Sequence, residues 1–296
     1  MSASAIESAT PGRGASSAGL DWGLIGRQIA GILRLEIRRN LFSRRSFALY
    51  FLAFAPVGLF VIWALVARRA IGRQDFFVGS PAEAVAEFFA VIFAAYLGTM
   101  IFLSALITFM SLFRSEILER SLHYYFLTPV RRWVLVAGKY CSALISSCVV
   151  FTVSTTALFI LMSLPWGFGE ASRYLFQGPG LGLMLTYIGI AILGCIGYGA
   201  VFLLVGLFFR NAIIPAAFIW GWEAINFVLP PLLQKISVIH YLTSLFPIPL
   251  PTGPFAVITN PTSPWVSVPG LVVFTILVLT FAGWRAGRME ISYGGD

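Results

Sequence analysis

Six apolar stretches, each about as long as a bilayer-crossing helix, constrain this chain more than any other feature. They cover residues 47–67, 88–113, 139–164, 181–209, 212–229 and 266–284. A spanning helix needs about 20 mostly apolar residues, because lipid offers no partner for backbone N–H and C=O groups. Composition agrees: 58% of the 296 residues are hydrophobic and 11% are charged. Soluble domains carry about 25% charged residues. A soluble core of this size could not bury the excess, so the expected fold is an all-α integral membrane protein with six transmembrane helices.

The charge is cationic, with 20 Lys and Arg against 12 Asp and Glu. Nucleic acid is excluded as a partner, because the cations sit beside apolar runs, where membrane anchors belong. With the N-terminus inside, only Arg68, Arg69, Arg73, Arg173 and Lys235 fall on the outer side. The inside-positive rule then puts both termini in the cytoplasm of a multi-pass inner-membrane protein.

Residues 1–20 are rich in Ser, Ala and Gly without an apolar core, and read as a disordered tail with no cleavable signal peptide. Residues 21–296 form one domain. Its first part, 22–46, has Arg27, Arg34, Arg38 and Arg45 on one helical face and Trp22, Ile25, Ile29, Ile32 and Leu33 on the other. That suits a helix lying in the membrane interface. Glu36, Asn40 and Ser43 drift onto the apolar side. They either face a protein partner or belong to an ordinary basic anchor.

The fourth stretch is long and expected to tilt or break at Gly189, Gly194, Gly197 and Gly199. Its glycines offer either a dimer seam or the general tolerance of membrane helices for glycine. Segment 230–264 holds eight of the sixteen prolines yet stays apolar. It is too broken to span and is expected to form an outer re-entrant region of short helices. Cys141, Cys148 and Cys195 lie in apolar runs without metal-ligand spacing and read as packing residues.

The densest motif lies between the second and third stretches, in a loop spanning 114–138. Read as a helix, residues 114–127 place Leu118, Leu122, Tyr125 and Phe126 on one stripe, with Glu116, Arg120 and His123 elsewhere. Thr128-Pro129 breaks that helix and can start the next, with Thr128 as N-cap and Pro129 at the first position. A short cytoplasmic helix with an apolar stripe calls for a groove on a partner.

Glu119, Arg120, Leu122, Leu127, Thr128, Pro129 and Arg132, followed by Gly138-Lys139, resemble the loop of membrane-spanning subunits of type-2 ABC exporters. His123-Tyr124-Tyr125 is bulkier than that family's usual aliphatic pair. The resemblance implies a permease whose cytoplasmic coupling helix seats in a separate ATP-binding-cassette ATPase subunit. The interface would include Glu116, Glu119, Arg120, Leu122, Tyr125, Phe126, Thr128, Pro129 and Arg132, with Arg210 in a smaller second contact at 209–211. It also implies a second permease copy or a sister permease, and contact with membrane lipid. ATP and magnesium would reside on the ATPase.

The chain itself has no Gly-x-x-x-x-Gly-Lys-Ser/Thr cradle, since Tyr140 follows Gly138-Lys139 and Trp133 stands at the position of the first glycine. Its two histidines, His123 and His240, are expected on opposite sides of the membrane, and its aspartates lie outside the apolar stretches. No cofactor, metal site or catalytic set is expected in the chain. Glu223 is the one acid inside a stretch, with Asn226 one helical step away. Intramembrane acids are functional suspects by default. Glu223 and Asn226 are read either as translocation-path residues or, for Glu223, as a structural hydrogen-bond acceptor. The rival functions are an ion-gradient-driven transporter and a non-transport membrane scaffold.

Overall fold

Long apolar runs make helix the dominant structure of the described residues. The computed structural model describes residues 22–42, 46–71, 82, 88–118, 132–209, 213–226, 229–248 and 262–288. Among these residues there is no strand. Five helices are long and apolar enough to cross a membrane: Ser46–Val66, Ala90–Phe113, Trp133–Trp166, Gly180–Phe208 and Pro264–Gly287. The protein is therefore an all-α chain with the pattern of a multi-pass membrane protein.

Helix α1 is Trp22–Phe42 and α2 is Ser46–Ile71. Next comes one continuous rod made of α3 (Ala90–Ala95), a π-helical stretch (Tyr96–Ile101) and α4 (Phe102–Leu118). The wider π turns keep Leu97, Ile101 and Phe102 all buried. Helix α5 is Arg132–Ser163 and ends in a 3-10 turn, Leu164–Trp166. Gly167 follows with φ +98°, a left-handed conformation that favours glycine. It opens α6, Phe168–Gln177, a strongly amphipathic helix that leaves Phe168 and Phe176 exposed. Sequence reading missed α6, although Ala171, Tyr174 and Leu175 fall on one side and Glu170 pairs with Arg173 at 2.7 Å on the other.

Helix α7, Gly180–Phe208, is the centre of the packing: 61% of its most apolar window is buried, against 17% for α2. It packs on α4, α5 and α11. The expectation of a break at its glycines is not met, because α7 is helical over all 29 residues. At about 1.5 Å per residue that is about 44 Å, longer than a hydrocarbon core of about 30 Å, so tilt is the expected accommodation. Three of its glycines serve close contact within the chain rather than an open seam. A Cβ on Gly199 would lie 2.6 Å from the Phe109 ring, and one on Gly206 would lie 2.9 Å from the Met110 carbonyl oxygen. One on Gly197 would lie 2.8 Å from Val238. Gly189 has open space around it.

The fifth expected span needs the largest correction. Instead of one helix over 212–229, α8 covers only Ile213–Ala224, 12 residues or roughly 18 Å. The Pro230-Pro231 pair ends any continuation. The chain restarts in α9 (Pro231–Gln234) and α10 (Val238–Thr243). Val238 packs on Gly197, Leu242 on Gly194, and Phe246 on Tyr187. The chain thus climbs α7 in two pieces, α8 and then α10, with an irregular step between them. Within 230–248, α10 packs into the core, with Val238, His240 and Leu242 buried, while Leu232 and Ile236 stay exposed; 249–261 lies outside the described residues. Helix α11, Pro264–Gly287, closes the bundle.

An aromatic cluster fills the Gly180 end. The Phe89 and Phe93 rings each meet Tyr187 edge-on with centroids 4.8 Å apart, and Phe159 meets Phe89 at 5.1 Å. Edge-to-face pairs add about 0.5–1.5 kcal/mol each beyond burial.

Candidate functional site

Most of the expected ATPase interface falls on residues that are not described: Glu119, Arg120, Leu122, Tyr125, Phe126, Thr128 and Pro129 lie in 119–131, and Arg210 lies in 210–212. The flanks are informative. Helix α4 runs through to Leu118, so Arg114 and Glu116 continue the helix that carries the second span, past its end at Phe113. On the other side α5 begins at Arg132, seven residues before the expected start of the third span.

Directly beyond that loop sits a buried ion pair. Lys139 Nζ lies 2.7 Å from Glu36 Oε1, with the side chains 1% and 4% exposed. Lys139 also faces the Phe113 ring at 5.8 Å, which brings α4 into the same node. One turn away Asn40 donates to the Ser142 hydroxyl at 3.4 Å. On the other side Ile32 packs on Gly138, where a Cβ would come within 3.0 Å of it. Ile32, Glu36 and Asn40 are spaced four apart, so they share one face of α1. That face is seated on the first turns of α5. The polar residues on the apolar side of α1 thus find their partner inside the chain: Glu36 and Asn40 meet α5, while Ser43 lies outside the described residues.

A lone lysine or glutamate here would carry a large desolvation penalty. Only a close, hydrogen-bonded pair makes both charges tolerable. The pair therefore specifies which face of α1 meets α5 more than it adds net stability. Ser46 extends the attachment by donating to the Asn40 carbonyl, and Tyr50 donates to the Leu41 carbonyl at 3.2 Å. These two bonds fix the corner between α1 and α2.

The second polar node surrounds Glu223. Tyr198 and Glu223 each lie about three turns from the ends of α7 and α8 that adjoin residue 209, so they meet near the middle of the bundle. The carboxylate accepts hydrogen bonds from the Ser237 hydroxyl (2.8 Å), the Val238 amide (3.1 Å), the Ile239 amide (2.8 Å) and the Tyr198 hydroxyl (3.3 Å). Two of these donors are the otherwise orphaned first amides of α10. Glu223 is thus an N-terminal cap supplied from another helix, and it joins α7, α8 and α10. Asn226 is buried and donates to the Gln234 carbonyl at 3.4 Å, while Gln234 donates to the Leu229 carbonyl at 2.9 Å. Asn226 thus ties the irregular step together next to the Glu223 node.

Among the described residues, no group of three or more His, Cys, Asp or Glu side chains could hold a metal ion. No family model, curated protein or solved structure matches the chain. The functional reading therefore rests on the two polar nodes and on the motif loop.

Proposed function

We propose that the chain is the permease subunit of a type-2 ABC exporter, in which two six-crossing units form the path and separate ATPase subunits drive it. In this reading the fifth crossing is the α8–α10 pair, both termini are cytoplasmic, and the membrane is the plasma (inner) membrane. The observation that carries the proposal is the Glu36–Lys139 pair. It stands where the motif resembling the exporter loop enters α5. A push on the loop would act on α5 and, through the buried pair, on α1 and the α1–α2 corner. That is the linkage an ATP-driven permease needs. The broad apolar surface of α2, with Phe51, Leu59, Ile62 and Leu65 exposed, suits lipid or a second permease.

The test is gentle affinity purification from native membranes, with co-purifying chains identified by mass spectrometry. A stoichiometric ATPase carrying a Gly-x-x-x-x-Gly-Lys-Ser/Thr motif supports the proposal. An oligomer of this chain alone overturns it. That second outcome favours an ion-gradient-driven transporter, for which one observation speaks: Glu223 faces a half-helix N-terminus near mid-bundle, the kind of site where such transporters bind charge.

A further inference from the structure

Helices α5 and α11 come close at Gly283, where an added Cβ would lie 3.7 Å from the Trp133 Cβ, an ordinary packing distance. Between the two helices lies a groove of about 660 Å³ whose walls include this contact. Its walls include Val136, Tyr140, Ile276 and Gly283, and its lining is almost wholly apolar. Its volume falls within the range of small-molecule sites, about 300–1,000 Å³. Trp133 and Trp284 line the groove near the start of α5 and the end of α11, and are 40% and 49% exposed. Tryptophan prefers headgroup depth in a bilayer. One helical turn beyond Trp284, on the same face, the Arg288 guanidinium lies 4.2 Å over the Trp284 ring. The groove is therefore apolar along its length, with the Arg288 guanidinium at the end its tryptophans mark.

We propose that this groove binds one anionic phospholipid of the surrounding bilayer. An acyl chain lies along Val136, Tyr140 and Ile276, and the phosphate is held by Arg288. The guanidinium fork suits a phosphate, and basic pockets between membrane helices are suited to anionic headgroups. A neutral lipid would fill the groove but bring no anion to Arg288, for which no ion pair is seen among the described residues. A second copy of the chain would have to bring an acid to the same place. The site is independent of what drives the protein or what it moves.

Brominated-lipid quenching of tryptophan fluorescence tests the proposal in the full chain, reconstituted in phosphatidylcholine bilayers. The signal of interest is the part lost in a Trp133→Phe/Trp284→Phe variant. Brominated phosphatidylglycerol is expected to quench that part at a mole fraction several-fold lower than brominated phosphatidylcholine. Arg288→Ala should abolish the preference and Arg288→Lys should retain most of it. Raising the salt concentration should weaken the preference without any substitution, since the headgroup contact is exposed to screening. Equal quenching by both lipids overturns the proposal. So does a preference that survives Arg288→Ala or is indifferent to salt, or protection from both lipids, which would indicate a protein covering the groove.

Discussion

Lys139 and Glu36 lie 103 residues apart and bond at 2.7 Å in a site with almost no solvent exposure. Removing one partner leaves the other charge buried and alone. Lys139→Met or Glu36→Leu alone should destabilise the detergent-solubilised protein by about 3–5 kcal/mol. The double variant should recover most of that loss, because two apolar side chains of similar size carry no desolvation penalty. Thermal unfolding of the four proteins in one detergent measures the coupling. Additive losses would show that the two charges do not depend on each other.

Glu223 caps α10 from outside that helix, so its removal leaves the amides of Val238 and Ile239 without their acceptor. Glu223→Ala should cost about 1–3 kcal/mol. Tyr198→Phe should cost less, about 0.5–1.5 kcal/mol, since its bond at 3.3 Å is the longest of the four. Limited proteolysis of 225–248 should speed up in Glu223→Ala and change little in Tyr198→Phe. If transport survives Glu223→Ala in a stabilised background, the carboxylate has no part in the path.

Glycine substitutions along α7 should separate sharply by position. Gly206→Ala places a methyl 2.9 Å from the Met110 carbonyl oxygen, a backbone atom that cannot swing away. Overpacking of this kind costs about 1–3 kcal/mol. Gly189→Ala meets nothing within 4 Å and should be neutral or slightly stabilising. Equal melting temperatures for the two variants would contradict the close α4–α7 approach.

Tyr125→Ala/Phe126→Ala tests the proposed coupling helix. The double variant should fold and reach the membrane at normal levels while losing ATPase co-purification and transport by at least tenfold. Unimpaired transport would remove the permease reading. Under the gradient-driven alternative, collapsing the ion gradient should stop transport while these two substitutions should not.

Individual positions show where local signals were enough and where they were not. The spans at 47–67, 88–113, 181–209 and 266–284 were legible to within a few residues, because unbroken apolar length is itself the signal in lipid. The third span begins earlier, at Trp133, because the apolar run 133–137 ahead of Lys139 joins the same helix, which starts at Arg132. Glu36 already stood out on the apolar side of an amphipathic helix, and Lys139 began an apolar run. Nothing local said that the two oddities answer each other, because no short-range pattern links residues so far apart.

The sequence by itself determined helix as the secondary structure of the described residues, the pattern of a multi-pass membrane protein, and where the motif residues fall along the chain. These follow from composition and from apolar length, which act within a single segment. Tertiary structure alone decided that α1 is clamped to α5, that the apolar stretch 212–229 gives the short helix α8 followed by α9 and α10, and that Glu223 caps α10. The physical reason is common to all three. A buried charge or an orphaned amide is tolerated only where another element supplies its partner, and that partner exists only once the helices have packed.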